Sequence, residues 1–317
     1  MKIGLIDLDY NGKFPNLPLM KLSAWNKSKG EDVEWYDPFM SYDIVYVSKV
    51  FSWTPDYPHP INAKLVLYGG TGYQIRVENG KEVFSRNAFF KDYFLQGLTY
   101  AEHVYPDYSL YPELTKDTAY GFLTRGCPRG CKFCHVGAKE GTKSHKVADL
   151  SEFWRGQKNI VLCDPNILAC KDWNECLQQL IDSKSYVDFN QGLDARMMNK
   201  EKAEMLNQIK IKEVHFAWDR YQDKDAVLKG LKMYADYAKS RQHGHKSIVY
   251  TIVNFDTTKE QDLERVYTLR EMGYWAYIMI YDKEHCIDPF YKDLARWVNN
   301  RFIFSSCERF EDYRRIK

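Results

Sequence analysis

Between Thr118 and Ile280, short apolar runs alternate with stretches of helical period. The runs are too short for buried helices and are suited to strands, whereas the stretches between them place apolar residues on one helix face. The predicted strands are Ala119–Thr124, Asn159–Cys163, Tyr186–Asn190, Glu213–Ala217, Ser247–Val253 and Trp275–Ile280. The predicted helices are Asp172–Ser183, Lys200–Ile209, Asp223–Ser240 and Thr258–Met272. Repeated βα steps predict a parallel sheet with right-handed connections, in the form of a partial (β/α)6 TIM-type barrel.

Residues 1–115 have the pattern of a smaller α/β unit. The runs Lys2–Leu8, Asp43–Val47 and Lys64–Tyr68 are suited to strands, and Leu17–Lys29 has helical character. This order of strand, helix and strand predicts a parallel sheet of Rossmann type. The glycine cluster after the third run could cradle a phosphate, but it lacks the G-x-G-x-x-G spacing, so a plain turn is the favoured interpretation.

These patterns predict three regions, which are a Rossmann-like domain over residues 1–115, a barrel over residues 116–285 and a helical tail over residues 286–317. Tyr105–Pro112 carries two prolines and is the predicted linker. The tail interleaves aromatic and arginine residues. This favours a helix that packs its aromatic face on the barrel, although such interleaving is also typical of proteins that bind single-stranded nucleic acid.

Composition narrows the class of protein. A hydrophobic fraction of 44% and a charged fraction of 28% are those of a soluble globular protein. No apolar run is long enough to span a bilayer, and charge follows too soon after Met1 for a signal peptide. A cytoplasmic protein with no membrane partner is therefore expected. The formal net charge of +2 provides no general electrostatic attraction to nucleic acid.

Three cysteines lie close together at the end of the first predicted barrel strand. Cys127, Cys131 and Cys134 form a C-x3-C-x2-C loop. Cysteine thiolate is the usual protein ligand of iron–sulfur clusters, and a 4Fe-4S cluster normally has four such ligands. A loop with three leaves one iron open, and an open coordination position on a metal typically serves chemistry. Gly126 and Gly130 would let the backbone wrap closely around an inorganic core.

Zinc and disulfides are the alternatives for these cysteines. A zinc site would need a fourth cysteine or histidine at suitable spacing, and His135 is badly placed because it directly follows Cys134. A disulfide is disfavoured because C-x2-C spacing in a chain of intracellular character indicates metal or redox chemistry. The remaining cysteines are predicted to be buried thiols: Cys163, Cys170, Cys176, Cys286 and Cys307.

Polar side chains follow the predicted barrel strands at their carboxyl ends. Asp164 and Asn166 come after the second strand, and Gln191 and Arg196 come after the third. In a parallel barrel these ends meet at one rim, where the chemistry is usually found. Asp and Asn at such positions can equally cap the next helix. Arg196 stands at a predicted helix start, where the helix dipole disfavours a cation, so a ligand-binding role is favoured for it.

The cysteine loop resembles the signature of the radical S-adenosylmethionine (radical SAM) superfamily. Asp164–Asn166, Asn190–Arg196 and Val249–Leu269 are similar to segments of its cobalamin-domain and methylthiotransferase-like branch. The N-terminal unit resembles the cobalamin-binding fold that precedes the barrel in that branch. In this superfamily the open iron binds the amino and carboxylate groups of S-adenosylmethionine, and one-electron reduction cleaves that cofactor to a 5′-deoxyadenosyl radical.

The resemblance implies roles for individual residues. Cys127, Cys131 and Cys134 would ligate the 4Fe-4S cluster, and the backbone at Phe133 would reach the adenine of S-adenosylmethionine. A flavodoxin- or ferredoxin-like electron donor is expected. The residues implied in holding the methionine part and the ribose of the cofactor are Asp164, Asn166, Gln191 and Arg196.

The chain departs from this branch in two respects. The cobalamin families use an Asp-x-His-x-x-Gly ligand motif, and neither His59 nor His103 lies in such a pattern. The methylthiotransferases need three cysteines in their N-terminal domain, whereas residues 1–126 contain none. The resemblance therefore implies a Rossmann-like domain that keeps the fold without the corrin, and methylthiolation of a tRNA base is disfavoured.

Together these features predict an enzyme that cleaves S-adenosylmethionine reductively and abstracts hydrogen from an unidentified small molecule. The cofactor would supply the difficult chemistry, and the protein would orient it. Two alternatives stay open. The first is modification of RNA or another macromolecule, for which the aromatic and basic tail is the only sign. The second is a non-catalytic protein in which the cysteines hold a structural metal.

Overall fold

The structure is a computed structural model that describes residues 1–78, 81–84, 101–238 and 247–314. The protein is of mixed α/β class and contains a six-stranded parallel sheet. Its chain divides into two compact units. The first unit comprises residues 1–143 and 147–160, and the second comprises residues 144–146 and 161–317. The predicted domain boundaries at residues 115 and 285 stay predictions.

Strands and helices alternate along most of the described chain. The strands are β1 (Lys2–Asp7), β2 (Asp32–Trp35), β3 (Tyr42–Ser48), β4 (Ala63–Gly69), β5 (Ile75–Glu78), β6 (Lys81–Phe84), β7 (Thr118–Gly121), β8 (Thr124–Arg125), β9 (His145–Lys146), β10 (Asn159–Leu162), β11 (Tyr186–Phe189), β12 (Lys210–Ala217), β13 (Ser247–Val253) and β14 (Trp275–Ile280). The helices are α1 (Leu17–Ser28), α2 (Thr71–Gln74), α3 (Pro112–Thr115), α4 (Val136–Glu140), α5 (Trp173–Ser183), α6 (Lys200–Gln208), α7 (Lys224–Tyr237), α8 (Lys259–Glu271), α9 (Pro289–Asn299) and α10 (Arg301–Ser306).

The first unit contains a four-stranded parallel sheet in the order β2-β1-β3-β4. Its core joins Ile3 and Leu5 of β1 to Leu19 and Leu22 of α1, all of which are buried. Helix α1 begins where the side chain of Asn16 accepts a hydrogen bond from the backbone N–H of Leu19. The three predicted strands and the predicted helix of this region are confirmed. Strand β2 was not predicted, because only one of its four residues is buried and its apolar pattern is weak.

The six-stranded sheet has the order β14-β13-β12-β11-β10-β7. Apart from β8 and β9, strands that follow one another along the chain are neighbours in this sheet, as expected for successive βα steps. The predicted strand Ala119–Thr124 is interrupted. Strand β7 ends at Gly121, and the carbonyl of Leu123 accepts hydrogen bonds from the N–H groups of Val147 and Ala148. Leu123, between β7 and β8, is thus paired with the residues that follow β9.

Helices of the second unit cover one face of its strands. Phe216 of β12 is fully buried and meets the ring of Tyr234 on α7 at 5.0 Å between centroids. Helix α8 begins with a capping box, in which Gln261 N–H donates to the Thr258 hydroxyl and Thr258 N–H donates to the Gln261 side chain. The predicted helix Asp223–Ser240 corresponds to α7, and its last two residues lie outside the described part of the chain.

The C-terminal region contains helices α9 and α10, and each of them buries an aromatic side chain. Trp297 and Phe304 are buried, with ring centroids 4.9 Å apart, and the Trp297 indole N–H donates to the Cys307 carbonyl at 3.1 Å. The predicted helical tail with a packed aromatic face is thus present as two helices. Within the described residues, no helix combines the length and apolarity needed to cross a bilayer.

A fully buried arginine ties α8 to the ends of two strands. Arg265 and its partner Asp262 both have 0% side-chain exposure, and the guanidinium donates to the carboxylate at 2.5 Å. The same guanidinium donates to the carbonyls of Trp218 and Asp219, after β12, and to the carbonyl of Ile252, within β13. Because a buried charge must be paired and hydrogen-bonded to be tolerated, this arrangement fixes where the strand ends lie.

Replacing Arg265 tests this buried hydrogen-bonded group, which we call the Arg265 brace. The substitution Arg265→Met leaves the buried Asp262 carboxylate without its cation, so we expect the free energy of unfolding to fall by about 3–5 kcal/mol. The matched variant Arg296→Met removes an exposed arginine of α9 and should change that free energy by no more than about 0.5 kcal/mol. Urea unfolding of the two variants measures both values, and equal losses would contradict the brace.

Candidate functional site

The cysteine loop begins at a position that only glycine can occupy. Gly126 is buried and has a φ of +83°, in the left-handed region. A Cβ atom at this position would lie 2.2 Å from the carbonyl oxygen of Lys143, which is far inside contact distance. Gly130 also has a positive φ, +58°, but a Cβ atom there would meet nothing within 4 Å. The start of the loop is therefore sterically fixed, whereas its middle is open.

Hydrogen bonds hold the loop start against α4. The Glu140 carboxylate, at the end of that helix, accepts from the Gly126 N–H at 3.3 Å and from the Arg125 guanidinium at 3.4 Å. The Arg125 side chain also donates to Glu102 at 3.0 Å. The Cys127 N–H donates to the carbonyl of Gly141 at 3.1 Å. The position of Cys127 is thus fixed by its own N–H group and by the two residues before it.

The three cysteines of the loop lie at the protein surface. Cys127 and Cys131 are partly exposed, Cys134 is exposed, and Phe133 between them is partly buried. All eight cysteines belong to the described residues, and no disulfide joins any of them. The buried thiols predicted elsewhere are present at Cys170, Cys176 and Cys286, while Cys163 and Cys307 are partly exposed.

The donor chemistry of the loop fits an iron–sulfur cluster. It offers three thiols without a disulfide, on a backbone whose first turn leaves no room for a side chain. Within the described parts of the chain, however, no three His, Cys, Asp or Glu side chains are gathered so as to hold a metal ion. Cluster binding would therefore have to be coupled to convergence of the cysteine side chains, as is usual when metal binding orders its own ligands.

The two loop glycines form a matched pair for testing this geometry. Gly130→Ala should cost about 1 kcal/mol, the strain of a left-handed alanine. Gly126→Ala adds a clash with the Lys143 carbonyl, so we expect a cost of at least about 2 kcal/mol in local stability. Hydrogen exchange of the Cys127 amide, which bonds to Gly141, measures the opening of the loop start. Equal exchange rates in the two variants would show that the steric constraint is absent.

A second group of polar residues lies at the carboxyl ends of β10 and β11. Asp164 and Asn166 follow β10 and are 4% and 3% exposed. The side-chain amide of Asn166 donates to the Asp194 carboxylate at 3.1 Å. The backbone carbonyl of Asn166 accepts from the Ser144 hydroxyl at 2.8 Å. Asp194 follows β11, so the contact between Asn166 and Asp194 joins the two strand ends.

Arg196 is held between two carboxylates. Its Nε and Nη2 atoms donate to the two oxygens of Asp194 at 2.8 and 3.3 Å, and Nη1 donates to Asp223. Burial lowers the pKa of Arg196, but the hydrogen bonds to Asp194 and Asp223 outweigh it, and the net pKa is raised. The side chain is therefore a fixed cation within a predominantly acidic group.

The backbone around Arg196 explains its position. Arg196 lies in the 3-10 turn Ala195–Met197, which the Asp194 side chain caps by accepting from the Arg196 N–H at 3.1 Å. Helix α7 passes directly over this turn at Gly230, where a Cβ atom would lie 1.7 Å from the Ala195 carbonyl oxygen. The predicted conflict between a cation and a helix start is resolved locally, because Asp194 and Asp223 neutralise the charge.

The remaining predicted residue of this group, Gln191, lies outside the hydrogen-bonded part. Its side chain is exposed, whereas Asp164 and Asn166 are buried and Arg196 is largely buried. Two residues later, the Leu193 N–H donates to the His215 carbonyl at 2.7 Å and returns the chain to β12. The structure therefore brings Asn166 and Arg196 together through Asp194, and it leaves Gln191 exposed at the edge.

Asp219, shortly after β12, is a further carboxyl group at a strand end. Burial in poorly solvating surroundings raises the pKa of its carboxyl group to about 6, although the Ile252 N–H, Arg265 and Arg196 oppose this shift. The Ile252 N–H donates to it at 3.3 Å. A carboxyl group with a pKa near 6 can both take up and release a proton near neutral pH. The sequence does not reveal this shift, because the surroundings of Asp219 come from β13 and α8, which are distant in sequence.

No family model matches this chain, and no curated protein sequence matches it. The functional interpretation therefore depends on the residues themselves, namely the spacing of the three loop cysteines, the glycine that fixes the loop start and the acidic group around Arg196.

The shifted pKa of Asp219 predicts a pH dependence. Because its pKa in the folded state is raised, the protonated form stabilises the fold, and this stabilisation is lost as pH rises from about 4 through about 6. Relative to the permanently neutral variant Asp219→Asn, the wild-type protein should lose about 2–3 kcal/mol of unfolding free energy over that range. Urea unfolding at a series of pH values measures the difference.

The exposed residue Asp225 of α7 provides the control for this titration. We expect Asp225→Asn to leave the pH dependence of the unfolding free energy unchanged, because the side chain is exposed to solvent. A constant difference between wild type and Asp219→Asn across the same pH range would mean that the Asp219 carboxyl group is not desolvated.

Proposed function

We propose that this protein is a radical SAM enzyme that cleaves S-adenosylmethionine reductively and abstracts a hydrogen atom from a small molecule. The observation that carries the proposal is the C-x3-C-x2-C loop, in which three thiols share one short segment without a disulfide. In the proposal, Cys127, Cys131 and Cys134 hold a 4Fe-4S cluster and leave one iron open. The fixed backbone at Gly126 supports this role, because it sets the position of the first ligand.

The fold supports the same proposal. Strands in sequential order within a parallel sheet are what a partial (β/α)6 barrel requires, and such barrels carry their chemistry at the carboxyl ends of the strands. The order β2-β1-β3-β4 of the first sheet has a reversal beside β1, as in doubly wound Rossmann-type folds. We therefore include in the proposal a Rossmann-like N-terminal domain followed by a partial TIM-type barrel.

The strand-end residues have the chemistry to bind an amino acid moiety and a diol. Three N–H groups of Arg196 bond to Asp194 and Asp223, and the other two are suited to a carboxylate. Asp164 and Asn166 offer oxygen acceptors to an ammonium group or a ribose. In the proposal Gln191 contributes from the edge of this group, and the Phe133 backbone meets the adenine. An electron delivered through the cluster from a flavodoxin- or ferredoxin-like donor would cleave the sulfonium bond of the cofactor.

A small-molecule substrate is preferred to nucleic acid for two reasons. Two aromatic residues of the C-terminal helices, Trp297 and Phe304, are buried and therefore cannot stack on bases. The net charge of +2 also lacks the strong positive bias that phosphate binding uses. Phe302, which is 88% exposed, is an aromatic residue of these helices that remains accessible.

Anaerobic reconstitution with iron and sulfide tests the proposal. The wild-type protein should gain visible iron–sulfur absorption and release 5′-deoxyadenosine when S-adenosylmethionine and dithionite are added. The variants Cys127→Ala, Cys131→Ala and Cys134→Ala should each reduce 5′-deoxyadenosine to background, because each removes one cluster ligand. The matched variant Cys307→Ala removes a partly exposed cysteine of the C-terminal region and should retain the product.

Two outcomes would overturn this function. A colourless protein that binds zinc and contains no acid-labile sulfide would be a structural metal protein. A reconstituted cluster whose 5′-deoxyadenosine yield is unaffected by Cys131→Ala would place the chemistry outside the loop.

A further inference from the structure

Five polar and aromatic side chains form a row across neighbouring strands of the second unit, on one face of the sheet. Because side chains alternate along a strand, His215 of β12 points away from the face on which Phe216 meets α7. Neighbouring strands place further groups on the side of His215. The members of this row, which we name the His215 face, are Asp188, Glu213, His215, Tyr250 and Tyr277.

An irregular register brings two acids together on the His215 face. The pairing of β11 with β12 shifts between Val187 and Asp188, so that Asp188 lies directly opposite Glu213. Like charges in directly opposed positions are unfavourable. Desolvation raises the pKa of Asp188 and Glu213 raises it further, although His215 opposes the shift. The bulge thus creates a pair of carboxyl groups that a cation would stabilise.

His215 lies between these acids and makes a hydrogen bond to neither. Its Nδ1 atom is 3.7 Å from Asp188 Oδ1, and its Nε2 atom is 3.6 Å from Glu213 Oε2. Both distances exceed that of a hydrogen bond. The His215 side chain is only 9% exposed, and neither His215 Nδ1 nor Asp188 Oδ1 has a hydrogen-bond partner within the described residues. Buried polar atoms left in this state normally have a partner of some kind.

Aromatic rings extend the row across β13 and β14. The His215 ring is stacked on Tyr250, with centroids 5.2 Å apart and an interplanar angle of 11°. Tyr250 in turn meets Tyr277 edge-on at 5.8 Å. Tyr277 is 42% exposed, as is the neighbouring Met279 at 45%, so the row is accessible from its β14 side.

We propose that the His215 face binds a small organic cation, a primary ammonium or a guanidinium group. Its N–H groups would donate to the carboxylates of Asp188 and Glu213, and its flank would lie on the tyrosine rings, whose faces attract cations. Arg301 already contacts the other oxygen of Glu213 at 3.4 Å, but it is half exposed and leaves Oε2 facing His215. A metal ion is the poorer occupant, because among the described side chains these groups are not gathered for metal binding.

This site uses none of the loop cysteines, so its test is independent of the proposed function. Benzylamine and benzyl alcohol are suitable probes, because they share a shape and differ in charge. Calorimetric titration of the full chain at neutral pH, without reconstitution, should show benzylamine binding at least about tenfold more tightly than benzyl alcohol. Equal affinities, or binding of neither probe, would overturn the inference.

Variants locate the binding on the His215 face. Asp188→Asn keeps the shape of the side chain and removes its charge, so we expect it to weaken benzylamine binding about five- to tenfold. The matched variant Asp236→Asn removes an exposed carboxylate of α7 and should leave the affinity unchanged. Thermal unfolding verifies that each variant is folded. If Asp188→Asn does not fold, Glu213→Gln provides the same comparison, and unchanged affinity in a folded variant would contradict the site.

Competition with S-adenosylmethionine separates this site from the proposed cofactor site. The cofactor is itself a cation, so it is the most stringent competitor. Benzylamine should bind with the same affinity in the presence of saturating S-adenosylmethionine. Displacement would show that the His215 face belongs to the cofactor site and would overturn the inference of a separate one.

Discussion

A guanidinium group with no exposed surface joins two strand ends and a helix in the second unit. Arg265 donates to carbonyls at the ends of β12 and β13 and to the equally buried Asp262 of α8. Its charge also bears on Asp219, whose pKa it lowers against the effect of burial. Because the energetic penalty for a misplaced buried cation is large, the positions of these strand ends are strongly determined. The polar groups at the carboxyl ends of these strands depend on those positions.

Charge is managed differently at the two groups of the second unit. At the strand ends, Arg196 donates to Asp194 and Asp223, so that one fixed cation lies among two carboxylates. On the His215 face, Asp188 and Glu213 oppose one another, and a buried imidazole lies between them. The first arrangement contains its own cation, whereas we propose that the second binds an external one. Both follow from acids placed where parallel strands hold them close.

Much of the fold could be predicted from sequence, because apolar runs and helical periods are local properties. The strands Ser247–Val253 and Trp275–Ile280 have the predicted bounds. The candidate site could be predicted less completely. The spacing of Cys127, Cys131 and Cys134 can be read directly from the sequence, whereas the raised pKa of Asp219 comes from its burial in the folded chain. Likewise, the meeting of Asp188 with Glu213 depends on a bulge in strand register. Such long-range features have no signature in a local pattern.

We propose that the cysteine loop holds a 4Fe-4S cluster with one open iron. Mössbauer spectroscopy of protein reconstituted anaerobically with iron-57 can distinguish that iron from the others. Once S-adenosylmethionine is added, one iron site should have parameters that differ from those of the other sites, as expected when a ligand occupies the open position. A spectrum that S-adenosylmethionine leaves unchanged, or a protein that takes up no iron and sulfide, would rule out this cluster.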